Sequence, residues 1–290
     1  VAQYKIASGQ QFGAVTRRMV NMGMHLPDSV VEEGMGWYPA VHDTVKAQAP
    51  DVGLTTSQGA GVVAAVSPNM DFDARNIKAL EEIRNISPRL WDDIHRSASR
   101  RDPTTGAVKP RLSGVKDELQ EVAPSLSGAY DQSLVKAHRI LQGQQVGDVL
   151  SMRTAPKTAT FAQNIADPRS TGVTVDGRSG DVVANIRRPW ELNRGLESAE
   201  LPSGKETRYE SHERAHVEAG KQLTANDPRY AGASPKDIQA ILWLGAKGIE
   251  RSQPTKSGAP RVQGERRAGQ PYVTPSGQPL ERDSHFWDQA

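Results

Sequence analysis

The sequence predicts a mainly α-helical protein with long loops and an irregular C-terminal tail. Three observations carry that prediction. Apolar residues recur at helical spacing through most of the chain, as Ile77, Leu80 and Ile83 do. Strand-like alternation is confined to Val173 and Val175 in the stretch GVTVDGRSG. From Arg251 onward, Pro, Gly and basic residues follow no period.

Residues 8–24 (SGQQFGAVTRRMVNMGM) read as a first helix behind a serine cap. A second is expected from about Pro39 to Ala49, stopped by Pro50. The apolar block Val62 to Val66 is built of small residues and reads as a buried helix, broken at Ser67-Pro68-Asn69. Asp71 or Asp73 then caps a helix carrying Ile77, Leu80 and Ile83. Residues 97–114 are polar, basic and turn-rich, hence a loop. Helical spacing resumes at Leu134, Ala137, His138 and Leu141. The turn QGQQVGD leads into VLSMRTAPKTATFAQNIADP, with Pro156 at the first helical position and Asp167-Pro168 as the stop. Asp176 opens the next segment, whose apolar stripe is Val182, Val183 and Ile186; residues 188–207 read as a loop. A helix is expected at 209–225. Another spans 234–248, with Ser234 as cap, Pro235 at the first position, Asp237 in the first turn and Gly248 just past the end. The organisation follows: N-terminal helices over 1–56, a core over 57–250 and a basic, Pro/Gly-rich tail over 251–290.

Composition removes whole classes of chemistry. The chain of 290 residues contains no cysteine. Disulfides, iron–sulfur clusters and thiol nucleophiles therefore fall away, and a reducing cytoplasm is the expected setting. No apolar run is long enough to span a bilayer, so no membrane partner is expected. A formal charge of +2 does not advertise nucleic-acid binding. Basic pieces such as SASRR, KPR, NIRRP and GERR nevertheless suit a DNA cleft locally. No cofactor is called for.

The order GVVAAVSPN, then SLVKAHRILQG with VLSMRTAPKTATF, then GVTVDGRSGDVVAN, then QAILWLGAKG resembles the helix-hairpin-helix DNA glycosylase superfamily over roughly 57–250. The resemblance implies a helix-hairpin-helix glycosylase-like fold and DNA as partner. It places Ser67 and Asn69 on the loop that approaches DNA, and Lys157 at the lysine with which some members form a Schiff base. Asp176 falls at the catalytic aspartate, with Arg153 and Arg178 as supporting cations. The residue types suit the chemistry. Breaking an N-glycosidic bond develops positive charge on the sugar, which a nearby carboxylate stabilises. The base must first leave the stack, and an amine of lowered pKa can then attack the sugar carbon. The sequence departs from the family at its hairpin, where Arg153-Thr154-Ala155-Pro156 replaces a glycine-rich turn, and at Gly177-Arg178, where Thr-His is common. Phosphate contact would then fall to Arg153 or to backbone elsewhere.

A second resemblance, through WYP…H, AAVSPN and VTVD, is to glycosylase-like proteins of actinobacteriophages. It implies work on hypermodified thymine in phage DNA, as an amino-acid–DNA transferase or pyrophosphorylase, with Asp176 activating an amine.

Plainer readings stand beside these. Asp176 is also a good helix cap, Lys157 a solvated helix lysine, and Trp37-Tyr38 packing rather than a base-stacking surface. A DNA-binding or virion-associated protein without catalysis is a further alternative. His212-Glu213-Arg214-Ala215-His216 matches H-E-x-x-H, the zinc arrangement of a helix with two imidazoles on one face. Its polar flanks predict a solvated helix, with no metal assigned; a zinc metalloprotein through His212 and His216 stands as a further alternative.

Overall fold

The computed structural model describes residues 9–68, 74–101, 106, 115–176, 179 and 208–252. Eleven α-helices run through the described residues: α1 Gly9–His25, α2 Asp28–Gln48, α3 Thr56–Val66, α4 Ala74–Glu82, α5 Pro88–Ala98, α6 Lys116–Val122, α7 Asp131–Leu141, α8 Val146–Val149, α9 Pro156–Ala166, α10 Arg208–Asn226 and α11 Pro235–Ser252. Short 3-10 turns join several of them, and no β-strand occurs among the described residues. The protein is mainly α-helical, as the periodicity predicts. The chain divides into two compact units, Pro39–Ser170 and Val1–Tyr38 with Thr171–Ala290.

In the Pro39–Ser170 unit, α3 is the central element. Thr55 and Gln58 form a reciprocal cap at its start: the Gln58 amide donates to Thr55 Oγ1 at 3.2 Å, and the Thr55 amide donates to Gln58 Oε1 at 3.0 Å. Every residue from Gly59 to Val66 is buried, as a helix that is apolar all round requires. Against it pack α7 and α9. Gly61 permits the approach of α8, since a Cβ there would lie 2.8 Å from Val146 Cγ2. The Ser67 break stands where expected. So does Pro156 at the start of α9, which ends at Ala166 ahead of Asp167. Ser87 caps α5 through the Leu90 amide, and α5 packs on α7.

The other unit is built on α1, the Asp28–Tyr38 half of α2, α10 and α11. Its core joins Val15, Met19, Met22, Val30, Val31, Leu223, Tyr230, Ile241 and Leu242. The backbones of α2 and α11 come close at Gly34, where a Cβ would lie 2.7 Å from Ile241 Cα.

Three expectations are corrected. The second helix begins at Asp28, eleven residues early, and runs through Pro39. Gly34, Gly36 and Pro39 lower its local propensity, but burial of Val30, Val31 and Tyr38 overrides it. Helix α11 continues past Gly248 to Ser252. The H-E-x-x-H helix is not solvated on its histidine face: His212 and His216 are buried beside Ala215 and Ala219. The caps expected at Asp71 or Asp73, the stripe at Val182, Val183 and Ile186, the loop at 188–207 and the tail from 253 lie outside the described residues.

Candidate functional site

The stretch 172–176 runs extended beside α10 and α11, and its alternation sorts its side chains between them. Val173 and Val175 are fully buried and pack with Tyr209 of α10. The Tyr209 hydroxyl donates to the Val173 carbonyl at 2.8 Å and accepts the Val175 amide at 3.3 Å. Glu213 Oε1 accepts the Val173 amide. The intervening residues turn to α11. Tyr38 Oη lies 3.1 Å from Thr174 Oγ1 and 3.1 Å from Gln239 Oε1, sharing its proton between them. Trp243 Nε1 donates to Asp176 Oδ2 at 3.1 Å. Residues two apart on extended chain are separated by about 6.6 Å, and residues four apart on a helix by about 6 Å. Thr174 and Asp176 therefore keep step with Gln239 and Trp243.

Asp176 is held from its own side as well. Its Oδ1 accepts from the Ser179 amide at 3.0 Å and the Ser179 hydroxyl at 3.3 Å, while its own amide donates to Ser179 Oγ at 3.2 Å. This is the reciprocal geometry of a helix cap. The carboxylate thus has three N–H or O–H donors and is still half-exposed. Trp243, also half-exposed, has Trp37 at 6.2 Å between ring centroids, and Trp37 meets Tyr38 edge-on at 4.8 Å. Trp37-Tyr38 is thus packing for Tyr38, which is buried, and a half-open aromatic surface at Trp37.

Two buried groups of this unit lie on the helices that brace the stretch. His216 donates from Nδ1 to the His212 carbonyl at 2.8 Å, since a carbonyl can only accept. Burial lowers the pKa of His216, and the hydrogen bond to His212 and the charge of Asp176 act against that. Lys236 is 2% exposed, its Nζ 5.5 Å from the Tyr38 ring centroid. Tyr38, Lys236, Gln239 and Trp243 were not among the sequence candidates. The legible signal is the spacing of 236, 239 and 243, which puts those three on one face of α11.

The remaining candidates are placed as follows. Ser67 is nearly buried, its hydroxyl donating to the Ala64 carbonyl at the end of α3. Arg153 is exposed and Lys157 half-buried, at the turn and first positions of α9. In that turn the Arg153 amide donates to Ser151 Oγ, and the Thr154 and Ala155 amides to the Ser151 carbonyl. The backbone N–H groups of Arg153, Thr154 and Ala155 are thus spent locally. Asn69 and Arg178 lie outside the described residues. Among the described residues no group of three His, Asp or Glu side chains is placed to hold a metal ion, and no helix is long and apolar enough to cross a membrane.

A groove of about 510 Å³ opens between α1 and α10, lined by Arg17, Arg18, Asn21, Met24 and Gln222 among others. Among the described residues no carboxylate lines it, and α1 contains no acidic residue.

Residues 2–250 match the family described as "Family of unknown function (DUF7178)". No curated protein and no solved structure matches the chain.

Proposed function

We propose a function for a chain that belongs to the DUF7178 family: it binds DNA and acts, in the manner of a helix-hairpin-helix DNA glycosylase, on a base turned out of the stack. The observation that carries this reading is Asp176, a half-exposed carboxylate oriented by Ser179 and Trp243, with the half-exposed Trp37 ring next to that of Trp243. A carboxylate so held offers fixed negative charge to a sugar that becomes cationic as its base departs. Indole faces beside it suit stacking with an everted base. In this reading Arg153 contacts phosphate, and Lys157 serves as a phosphate contact or an amine nucleophile. Ser67 and Asn69 belong to a loop near DNA, with Arg178 as a further cation. The groove bearing Arg17 and Arg18 supports a polyanionic partner.

The test is release of free base from DNA, phage DNA included, by the wild type and by Asp176→Asn. Release by the wild type that is lost in the variant supports the reading. Mass spectrometry of the nucleosides left in that DNA separates a glycosylase from an enzyme that alters a thymine substituent. The Ser179 cap favours one second reading, a DNA-binding protein in which Asp176 only starts a helix. That reading expects DNA binding without base release from either protein, and a lowered melting temperature for the variant.

A further inference from the structure

In the Pro39–Ser170 unit, the seam between α5 and α7 holds a pair of imidazoles that the proposed function does not use. His95 Nε2 and His138 Nδ1 lie 2.8 Å apart, with the ring planes at 63°. His138 is stacked on Trp91, centroids 4.1 Å apart and planes within 2°, so its direction is fixed by packing. Both residues are partly exposed, at the edge of the seam.

In the neutral pair one of these nitrogens carries a proton and the other offers a lone pair. When the donor ring carries its proton on its other nitrogen instead, two lone pairs face one another across the 2.8 Å gap with no change of charge. Turning one ring so that the lone pairs meet at an angle makes them the two donors of a chelate. Metal–imidazole bonds of about 2.0–2.1 Å at a tetrahedral angle need the nitrogens about 3.3 Å apart, a widening of roughly half an ångström. His95 supplies it by rotating about its side-chain bonds while the Trp91 stack holds His138.

The surroundings favour a cation. Burial, and secondarily His95, lower the pKa of His138, which keeps its ring neutral and its lone pair available at neutral pH. The charge of Asp92, one turn ahead of His95 on α5 and exposed, acts the other way and attracts positive charge to the spot. Two nitrogen donors are a poor match for magnesium or calcium, which take oxygen, and a good one for copper, nickel or zinc. No third His, Asp or Glu of the described residues completes the set, so water fills the other positions.

We infer that His95 and His138 form a two-imidazole site for a divalent transition-metal ion that cross-links α5 to α7. The inference is independent of the role of Asp176.

The experiment titrates the full chain with the chloride salts of copper(II), nickel(II), zinc(II) and magnesium, by calorimetry and by thermal melting. The comparison set is wild type, His95→Gln, His138→Gln and His25→Gln, the last an exposed control on α1. One saturable site per chain is expected, tightest for copper, with a raised melting temperature and no response to magnesium. Binding falls by at least about tenfold in His95→Gln and is unchanged in His25→Gln. Copper hyperfine spectra of the wild type show two imidazole nitrogens. Where His138→Gln loses its fold with the Trp91 stack, His95→Gln and the spectra decide. Absence of saturable binding by the wild type, equal binding by His95→Gln, or a spectrum with a single imidazole each overturns the inference.

Discussion

The indole N–H of Trp243 ends on Asp176 Oδ2 at 3.1 Å, joining α11 to the end of the extended stretch. Trp243→Phe removes the donor and keeps most of the ring. A hydrogen bond to a charged group is worth roughly 1.5–3 kcal/mol, and half-exposure of the carboxylate puts the expected loss at or below the lower end. Urea unfolding of Trp243→Phe, Asp176→Asn and the double variant measures the coupling between the two positions. Under the proposed function, base release falls in Trp243→Phe and disappears in Asp176→Asn.

Gly34 is the contact point of α2 and α11. A methyl group there would meet Ile241 Cα at 2.7 Å and its amide nitrogen at 2.9 Å, neither of which can rotate away. Gly34→Ala is expected to destabilise by about 3 kcal/mol or more, through overpacking against backbone. Gly36 is the control, since a methyl group added there would have nothing within 4 Å; Gly36→Ala leaves the urea midpoint unchanged or slightly higher.

Arg229 closes the C-terminal end of α1. Its guanidinium donates to the Leu26 carbonyl at 2.6 Å and the Met24 carbonyl at 2.9 Å, and it is doubly bonded to Asp227. Arg229→Ala leaves those carbonyls and a buried carboxylate without the donor, with an expected cost of about 2–4 kcal/mol. Arg229→Lys recovers little, because one ammonium cannot reproduce the planar fork. Thermal or urea denaturation of the two variants reads the difference.

The histidines set an acid limit to stability. Burial lowers the folded pKa of His138, helped by His95 and opposed by Asp92, and burial lowers that of His216. The unfolded chain then binds more protons below the ordinary value near 6.5. Their contribution is full above that value and is lost as pH falls through the lowered folded values. Asp131 works in the opposite sense. Burial raises its pKa above 3.8, so its contribution is full below 3.8 and lost as pH rises through the folded value. The net expectation is a lower urea midpoint at about pH 5.5 than at about pH 7.5, with a smaller drop in His138→Gln. Tyr230 limits the alkaline side. Burial raises its phenol above 10, so stability is lost as pH climbs past 10.

Local sequence determined those elements whose pattern is complete within one segment. The block Val62 to Val66 is helical and buried because no face of it is polar. Pro156 starts α9 because a first-turn residue needs no amide hydrogen. The alternation of Val173 and Val175 marks an extended run whose apolar face packs on Tyr209, while the burial of Thr174 on the other face came from packing. Asp176 was legible as a carboxylate at a turn.

Tertiary structure decided the rest, because which distant face meets which is a property of packing. Helix α2 extends back to Asp28 because Val30, Val31 and Tyr38 are buried and Gly34 lets α11 come close, none of which local propensity can register. The histidines of H-E-x-x-H are buried despite the polar residues around them in sequence, since burial follows the helix face and not its composition. Trp243 reaches Asp176, and His95 reaches His138, through the register of one backbone against another. Hydrogen-bonding capacity is written in each residue, but its partner is chosen by the fold.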